Sequence, residues 1–286
     1  MVFGDNFFKK FQKVFLIFLI AIVFTSLGVF WFIYSPTNKL EIDFLDVGQG
    51  DATLIKTPSG QNILIDGGPD NNVIAKLSEN MFWWDKQIDL MILTHPHDDH
   101  LVGLIDVIKR YRVKKILYTG VKHSSPAYLE WRELIQEKKI PTTIITHPQT
   151  INFSENCYLD ILYPEESFLN KEVSNLNNSS IVSKLFCKEK YFLFTGDAET
   201  EIEEELVKKN IILCANILQV GHHGSDTSSS KDFLQAVGCS DFKAIVSAGK
   251  DNDFGHPSRR ILKRLERAGA SVYETEKQGT IKFYFE

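Results

Sequence analysis

From Val14 to Tyr34 the chain runs 21 residues, VFLIFLIAIVFTSLGVFWFIY, without one charged side chain. A helix that is apolar all round has no face to offer water, so this segment does not belong on the surface of a soluble fold. A hydrocarbon layer of about 30 Å takes roughly 20 helical residues, and the run is long enough to cross it. Trp31 and Tyr34 close it with aromatics of the kind that sit at headgroup level, and Lys9, Lys10 and Lys13 precede it. By the positive-inside rule those lysines keep residues 1–13 in the cytoplasm and send everything after Pro36 outside. A cleavable signal peptide would carry a shorter apolar stretch and a small-residue cleavage site; a retained anchor fits better. The expected organisation is a cytoplasmic N-terminus (1–13), a transmembrane anchor (14–34), a linker (35–39) and one domain over 40–286. That describes a single-pass protein of the cell membrane with its folded part extracytoplasmic.

Composition bounds the remainder. With 43% apolar and 24% charged residues, a chain of 286 residues buries a real core rather than forming a disordered, collagenous or coiled-coil protein. Thirty-two Lys and Arg against 37 Asp and Glu give a net charge of -5, so no global positive field gathers polyanions and any nucleic-acid contact must be local. Cys157, Cys187, Cys214 and Cys239 show no C-x-x-C spacing, which argues against a thiolate zinc site, a redox motif or a dense disulfide framework. Short apolar or alternating runs predict strands near 40–47, 52–57, 62–66, 88–94, 115–118, 158–162, 181–187, 191–195, 212–220, 244–247 and 280–285. Helical stripes fall near 73–80, 101–111, 126–138, 198–209, 232–237 and 258–268. Early strands without intervening helices point to mixed sheets with helices outside, an α+β arrangement, rather than a purely parallel design.

The chemistry begins at Leu93–Leu101, LTHPHDDHL, where an apolar strand ends in three histidines and two aspartates within six positions. Alternate side chains of an extended segment share a direction, so His95 and His97 point into one cavity while the turn beyond returns Asp99 and His100. Imidazole and carboxylate together suit zinc, iron or manganese. Asp98, one position earlier, leaves that turn differently and is expected to be structural.

The spacing His95-x-His97-x-Asp99-His100 resembles the H-x-H-x-D-H motif of the metallo-beta-lactamase superfamily, and further matches follow in order. LDVGQGD (45–51) and LIDGG (64–68) look like its opening strands and turn, FTGD (194–197) like the strand that ends in a bridging aspartate, and VGHHGS (220–225) like the later histidine motif. Together with GHPS (255–258) this wording is similar to the hydrolase domain of ComEC competence proteins, and the resemblance covers residues 40–286. It implies a four-layer αββα sandwich with two mixed β-sheets behind the transmembrane helix. It makes His95 and His97 ligands of one metal, Asp99, His100 and His222 ligands of a second, and Asp197 the bridge. The cofactor it implies is one or two divalent ions, Zn or Mn. Two cations about 3.5–4 Å apart bring a shared water's pKa toward neutrality, so attack needs no protein nucleophile, and Asp99 is the expected proton carrier for that water.

Other residues take supporting roles in the same picture. Many superfamily members offer another histidine before the bridging aspartate; here that stretch reads NNSS (177–180), so Asn178 or a water is expected to complete the first site. His223, beside His222, is expected to orient it or to meet the leaving group, and Asp66 to fix the turn beneath the site by accepting backbone N–H bonds, rather than to bind metal. Ser229, followed by Asp232, is expected to cap a helix. In the resembling proteins the GHP turn lies at the rim, making His256 the candidate that grips a phosphate or protonates a leaving oxygen. Ser225, at the end of VGHHGS, is a candidate substrate contact, as are Arg259 and Arg260 in a basic helix that also carries Lys263, Arg264 and Arg267. His123 and His147 are expected in loops, and the basic cluster Lys109, Arg110, Arg112, Lys114 and Lys115 is expected to face solvent.

Three functional classes fit. The first is a membrane-anchored, metal-dependent phosphodiesterase or nuclease acting on DNA outside the cytoplasm. The second hydrolyses another exported ester or amide: a phosphocholine ester, a lactone or a beta-lactam. The third is a non-catalytic anchored module for DNA uptake. ComEC proteins also carry a multi-helix channel, which one span cannot supply, so a separate channel protein is the implied partner.

Overall fold

The computed structural model describes residues 3–34, 38–209 and 211–286. Residues 35–37 of the expected linker, and the side chains of Trp31 and Tyr34, lie outside that description. The chain divides into two compact units, Met1–Thr37 and Asn38–Glu286. The first contains one helix, α1 (Phe3–Tyr34). Its Lys10–Gly28 segment, 19 residues of mean hydropathy 2.1 with none buried in the protein, is long and apolar enough to cross a bilayer.

The second unit begins with β1 (Leu40–Phe44), β2 (Thr53–Lys56), β3 (Asn62–Ile65), α2 (Asn72–Asn80), β4 (Gln87–Ile88) and β5 (Leu90–Ile92). Then come α3 (Asp98–Arg110), β6 (Arg112–Val113), β7 (Ile116–Tyr118), α4 (Pro126–Glu137), β8 (Thr142–Ile144), β9 (Gln149–Ser154), β10 (Cys157–Tyr163) and β11 (Val182–Cys187). The chain ends with β12 (Lys190–Phe194), α5 (Thr200–Lys208), β13 (Ala215–Gln219), α6 (Lys231–Val237), β14 (Gly238–Val246), α7 (Arg259–Arg267), β15 (Ser271–Glu274), α8 (Thr275–Gln278) and β16 (Ile281–Phe285).

Two seven-stranded sheets result, ordered β16-β1-β2-β3-β5-β7-β8 and β15-β14-β13-β12-β11-β10-β9. Each mixes parallel and antiparallel pairs; β3, β5, β7 and β8 run parallel, whereas β1 lies antiparallel to both neighbours. Strands buried on both faces read as continuous apolar runs, as β5 does with LMI. One face of each sheet meets the other through Ile42, Phe44, Ile55, Ile63 and Ile92 against Leu159, Leu185, Phe192, Phe194 and Ile217. The opposite face of the first sheet is covered by α2, α3 and α4 around Leu104, Ile108 and Trp131. That of the second is covered by α5, α6 and α7 around Leu206, Phe233 and Ile261. These are the four layers that the resemblance implies.

Several local features differ from the sequence expectation. The edge strands β8, β9 and β15 carry too little apolar pattern to announce themselves, being half exposed in β9 and never fully buried in β8 and β15. Helix α3 starts at Asp98 instead of Leu101, because two carboxylates in its first turn suit the positive end of the helix dipole. Ser230, not Ser229, caps α6 by accepting from the Phe233 N–H, while the Ser229 N–H is given to buried Glu203. All four cysteines pair. Cys157–Cys187 joins facing positions of β10 and β11, and Cys214–Cys239 links the approach to β13 with β14.

Candidate metal centre

The ligand-type side chains stand where strands of both sheets end. β5 delivers Thr94 and His95, His97 caps α3, and Asp99 and His100 fill its first turn. The turn after β3 carries Asp66 and the loop between β1 and β2 carries Asp51. From the second sheet, β12 leads to Asp197 and β13 to His222 and His223. Gly50 and Gly103 let these loops touch: a Cβ on Gly50 would lie 2.2 Å from the Asp99 carbonyl oxygen, and one on Gly103 would lie 1.9 Å from that of Gly67.

Two donor groups share Asp197. His95, His97 and Asp197 form one; Asp51, His100, Asp197 and His223 form the other, each with ligand atoms within 4.8 Å of one another. In the first, His95 Nε2 lies 3.7 Å from Asp197 Oδ2 and 3.0 Å from His97 Nδ1. In the second, Asp197 Oδ1 is 3.2 Å from His100 Nε2, and its Oδ2 is 3.6 Å from His223 Nε2. Asp99 borders this group, its Oδ2 at 3.3 Å from His223 Nε2, and its side chain is 30% exposed. Behind them, Asp66 accepts from the Thr94 N–H (2.8 Å) and hydroxyl (2.7 Å) and from His100 Nδ1 (2.8 Å). His223 Nδ1 donates to the Ser247 carbonyl at 3.0 Å. Both imidazoles therefore turn Nε2 inward.

Burial and the neighbouring His100 hold His95 well below the ordinary imidazole value, keeping it neutral. Burial opposes charge on His100 too, but the carboxylates of Asp197 and Asp66 outweigh it and hold His100 well above that value. His223 is raised against burial in the same way by Asp197 and Asp51. Burial works against ionised Asp197 and Asp99, yet His100 and His223 overcome it and keep both below the usual carboxylate range. Burial pushes Asp66 up, with His100 pulling against it. The cavity thus gathers positive charge around fixed carboxylates, and a cation replaces those protons.

The donor set fits divalent ions on structural grounds. Both Asp51 carboxylate oxygens, His100 Nε2, Asp197 Oδ1 and His223 Nε2 are buried without a hydrogen-bond partner, and such atoms are costly unless a ligand engages them. Neutral nitrogen and carboxylate oxygen donors suit Zn or Mn.

The residues singled out from sequence fall into place unevenly. His95, His97, Asp99, His100 and Asp197 converge. Within HHGS it is His223 that enters the buried group; His222 sits at its mouth, 22% exposed, with Nε2 3.9 Å from Asp197 and Nδ1 2.9 Å from the Thr227 hydroxyl. Both adopt left-handed backbone (φ 50° and 54°), which splays adjacent side chains. Asn178 faces away, bonding the Glu199 N–H and the Glu201 carboxylate. Its neighbour Asn177 faces His222 at 3.5 Å and donates to Glu199 at 3.0 Å. His256 is at the rim, its ring 5.6 Å from that of His222, in a loop that Asn252 ties through the His256 N–H and carbonyl. The His256 ring is kept below its ordinary value by burial, then by His222 and His223.

Ser225 lines the turn beneath, its N–H bonded to the His222 carbonyl. Arg259 and Arg260 are exposed in the first turn of α7, where Ser258 caps the helix and bonds Asp226. Arg264 is occupied with the Ser229 carbonyl at 2.7 Å rather than open to a ligand. Asp51, Asn177 and Glu199 have no role in the sequence expectation; Asp51 lies inside LDVGQGD and Asn177 inside NNSS, which was the available signal.

Residues 45–246 match the metallo-beta-lactamase superfamily. The chain is 28% identical to ComE operon protein 3 of Bacillus subtilis over 89% of its own length and 34% of the relative's. It is 27% identical to competence protein ComA of Neisseria gonorrhoeae over 87% of its length and 33% of that relative's. It therefore spans about a third of these curated relatives. The crystal structure of the metallo-beta-lactamase fold protein YhfI from Bacillus subtilis superposes with a TM-score of 0.55 at 11% identity, covering 86% of this chain and 99% of that one.

Proposed function

The chain belongs to the metallo-beta-lactamase superfamily of metal-dependent hydrolases, and from that premise we propose that it is a membrane-anchored phosphodiesterase, a nuclease that cleaves DNA outside the cytoplasm. The observation that carries the proposal is the pair of donor groups sharing Asp197, with unpartnered atoms buried among them. One or two divalent ions, Zn or Mn, would supply an activated water there and neutralise charge gathering on a phosphate. His95 and His97 would hold one ion and His100, His223 and Asp51 the other, with Asp197 in both groups. Asp99, an ionised and partly open carboxylate beside His223, takes the proton of the attacking water at Oδ. His222 and the neutral His256 face each other at the mouth, where they grip a phosphate oxygen or meet the leaving oxygen. Arg259 and Arg260, with Ser225 below them, offer positive charge and hydrogen bonds to flanking phosphates.

Relatives named for competence favour a polynucleotide over another ester or amide. Two disulfides that use every cysteine suit an oxidising compartment, and α1 supplies the anchor. The test incubates the full chain in nanodiscs with Mn or Zn, offering single-stranded DNA, duplex DNA and bis-p-nitrophenyl phosphate, beside Asp99→Ala. DNA cleavage abolished by the substitution is the expected result. Ester cleavage without DNA cleavage overturns the nuclease, and no cleavage at all overturns the enzyme. A C-terminal alkaline phosphatase fusion that stays inactive overturns the orientation.

A further inference from the structure

Phe82, Trp83 and Trp84 form an exposed aromatic triad on the loop between α2 and β4, at 61%, 79% and 38% exposure. Phe82 stacks on Trp84 with centroids 4.8 Å apart, and Trp83 stands edge-on to Trp84 at 5.3 Å. Three adjacent large aromatics in water are costly unless something covers them. Nothing in the catalytic site uses them, because they lie at the other end of the sheet. The rungs Glu41–Lys56 and Lys56–Asn62 join the start of β1 to the start of β3. Asn62 then donates to Asp85, which closes the Phe82–Asp85 turn. The triad therefore shares its end with the first residues of β1, while Asp66 and His95 follow the opposite strand ends. A five-residue strand separates the two ends by roughly 17 Å.

That end is also where the chain arrives from α1. Five residues, 35–39, stand between Tyr34 and β1, and fully extended they reach at most about 18 Å. A basic fringe shares this end with the triad. Lys86, Arg112, Lys115 and Lys139 are exposed and, among the described residues, have no carboxylate partner. Backbone bonds set them at the same end as the loop: the Arg112 N–H donates to the Lys86 carbonyl, the Met91 N–H to that of Lys115, and the Ile116 N–H to that of Pro141, two residues beyond Lys139. The nearby carboxylate Asp89 is taken up by Lys114 at 2.7 Å.

We infer that this end of the domain is a membrane-docking surface: Phe82, Trp83 and Trp84 enter the interfacial layer, and the basic fringe meets anionic headgroups. Tryptophan belongs at that depth, and each basic side chain near an anionic surface multiplies binding roughly fivefold. The inference rests on α1 being an anchor, whose short tether makes the bilayer the surface this end meets. Docking there turns the catalytic mouth away from the lipid, toward substrate arriving from outside.

The test reconstitutes the full chain in phosphatidylcholine–phosphatidylglycerol vesicles with brominated acyl chains and subtracts the emission of a W83F/W84F variant from that of wild type. The difference emission should be blue-shifted, quenched at least twofold by bromine and little by acrylamide. R112E/K115E/K139E should weaken the bromine quenching in anionic vesicles and leave it unchanged in neutral ones. Difference emission that acrylamide reaches and bromine does not overturns the inference. So does quenching that requires an added oligodeoxynucleotide, which makes the triad a base-stacking platform, or that disappears at one chain per vesicle, which makes it a contact between copies. The variant's remaining emission comes from Trp31 in α1 and core Trp131. Bromine quenching of that remainder reports the anchor separately, so loss of the anchor and loss of docking are read apart.

Discussion

Asp66 gives the most discriminating substitution, because one carboxylate holds three donors: the Thr94 N–H, the Thr94 hydroxyl and His100 Nδ1, all within 2.8 Å. Asp66→Ala strands all three in a buried site, at about 1–3 kcal/mol each, so roughly 3–9 kcal/mol of stability should go. That is a large share of the 5–15 kcal/mol typical of a folded protein. Asp66→Asn is subtler. Its oxygen still accepts from the Thr94 N–H, but its amide now donates toward His100. His100 must then accept at Nδ1 and carry its proton on Nε2, the atom that faces Asp197. A protonated Nε2 cannot ligate.

Stability of Asp66→Asn should therefore fall by no more than about 1–2 kcal/mol, whereas affinity for Zn or Mn falls about 10–100-fold, the range for a lost supporting contact. Urea denaturation supplies the first number and competition with a chelator the second. Equal metal affinity in wild type and Asp66→Asn would refute the argument, since the tautomer of His100 would then not matter and the second donor group would not hold an ion through it.

The HHGS pair separates the ligand assignment of the resemblance from that of the geometry: His223→Ala should weaken metal binding by more than ~100-fold, beyond the cost of a supporting contact. His222→Ala should retain the metal and lose turnover, and the opposite ranking in metal titrations would restore His222 as ligand. Reduction of both disulfides, which close separations of 30 and 25 residues, should cost about 3–4 kcal/mol each in the chain-entropy picture, measured by denaturation with and without reductant; unchanged stability would remove the argument for an oxidising compartment. Asp43, buried on β1, has its carboxyl pushed up to about 7 by burial, then by Glu41. The folded protein therefore holds a proton that the unfolded chain releases near pH 4, and stability declines as pH rises from there through 7. Asp43→Asn should stabilise the protein, with a gain about 2–3 kcal/mol larger at pH 8 than at pH 5; a gain independent of pH would exclude this cause.

Much of this centre is legible in sequence because imidazoles and carboxylates packed at the end of an apolar strand have few structural uses. His95, His97, Asp99 and His100 are visible for that reason, and Asp197 through the resemblance of FTGD (194–197). What spacing cannot reveal is the sign of a backbone angle. His222 and His223 share a motif, and two successive left-handed residues decide which one is buried. Asn177 and Asn178 exchange roles because a 3-10 turn (Asn177–Ser179) presents the first to His222 and turns the second toward Glu199. Asp51 escapes notice for a different reason: only the packing of its loop against Asp99, through Gly50, brings it to the second donor group. The Cys157–Cys187 bridge likewise exists only once β10 and β11 are set in register.

The donors also come from both halves of the sandwich: Asp51, His95, His97, Asp99 and His100 follow strands of the first sheet, Asp197 and His223 those of the second. An ion held between them joins the two sheets at their shared end, so binding is coupled to the packing that forms the core. An unfolded chain has no such constellation. A ligand that binds only the folded state stabilises it by about 2.7 kcal/mol at 100 times its dissociation constant. For a domain of this size that amounts to roughly 5–10 °C in Tm. Calorimetry of the full chain in nanodiscs, with chelator and then with excess Zn or Mn, should show this rise, and Asp197→Asn should abolish most of it because both donor groups lose their shared oxygen pair. If the rise is absent in wild type, these side chains do not hold an ion and the metal-dependent activity proposed for the protein has no site in which to occur.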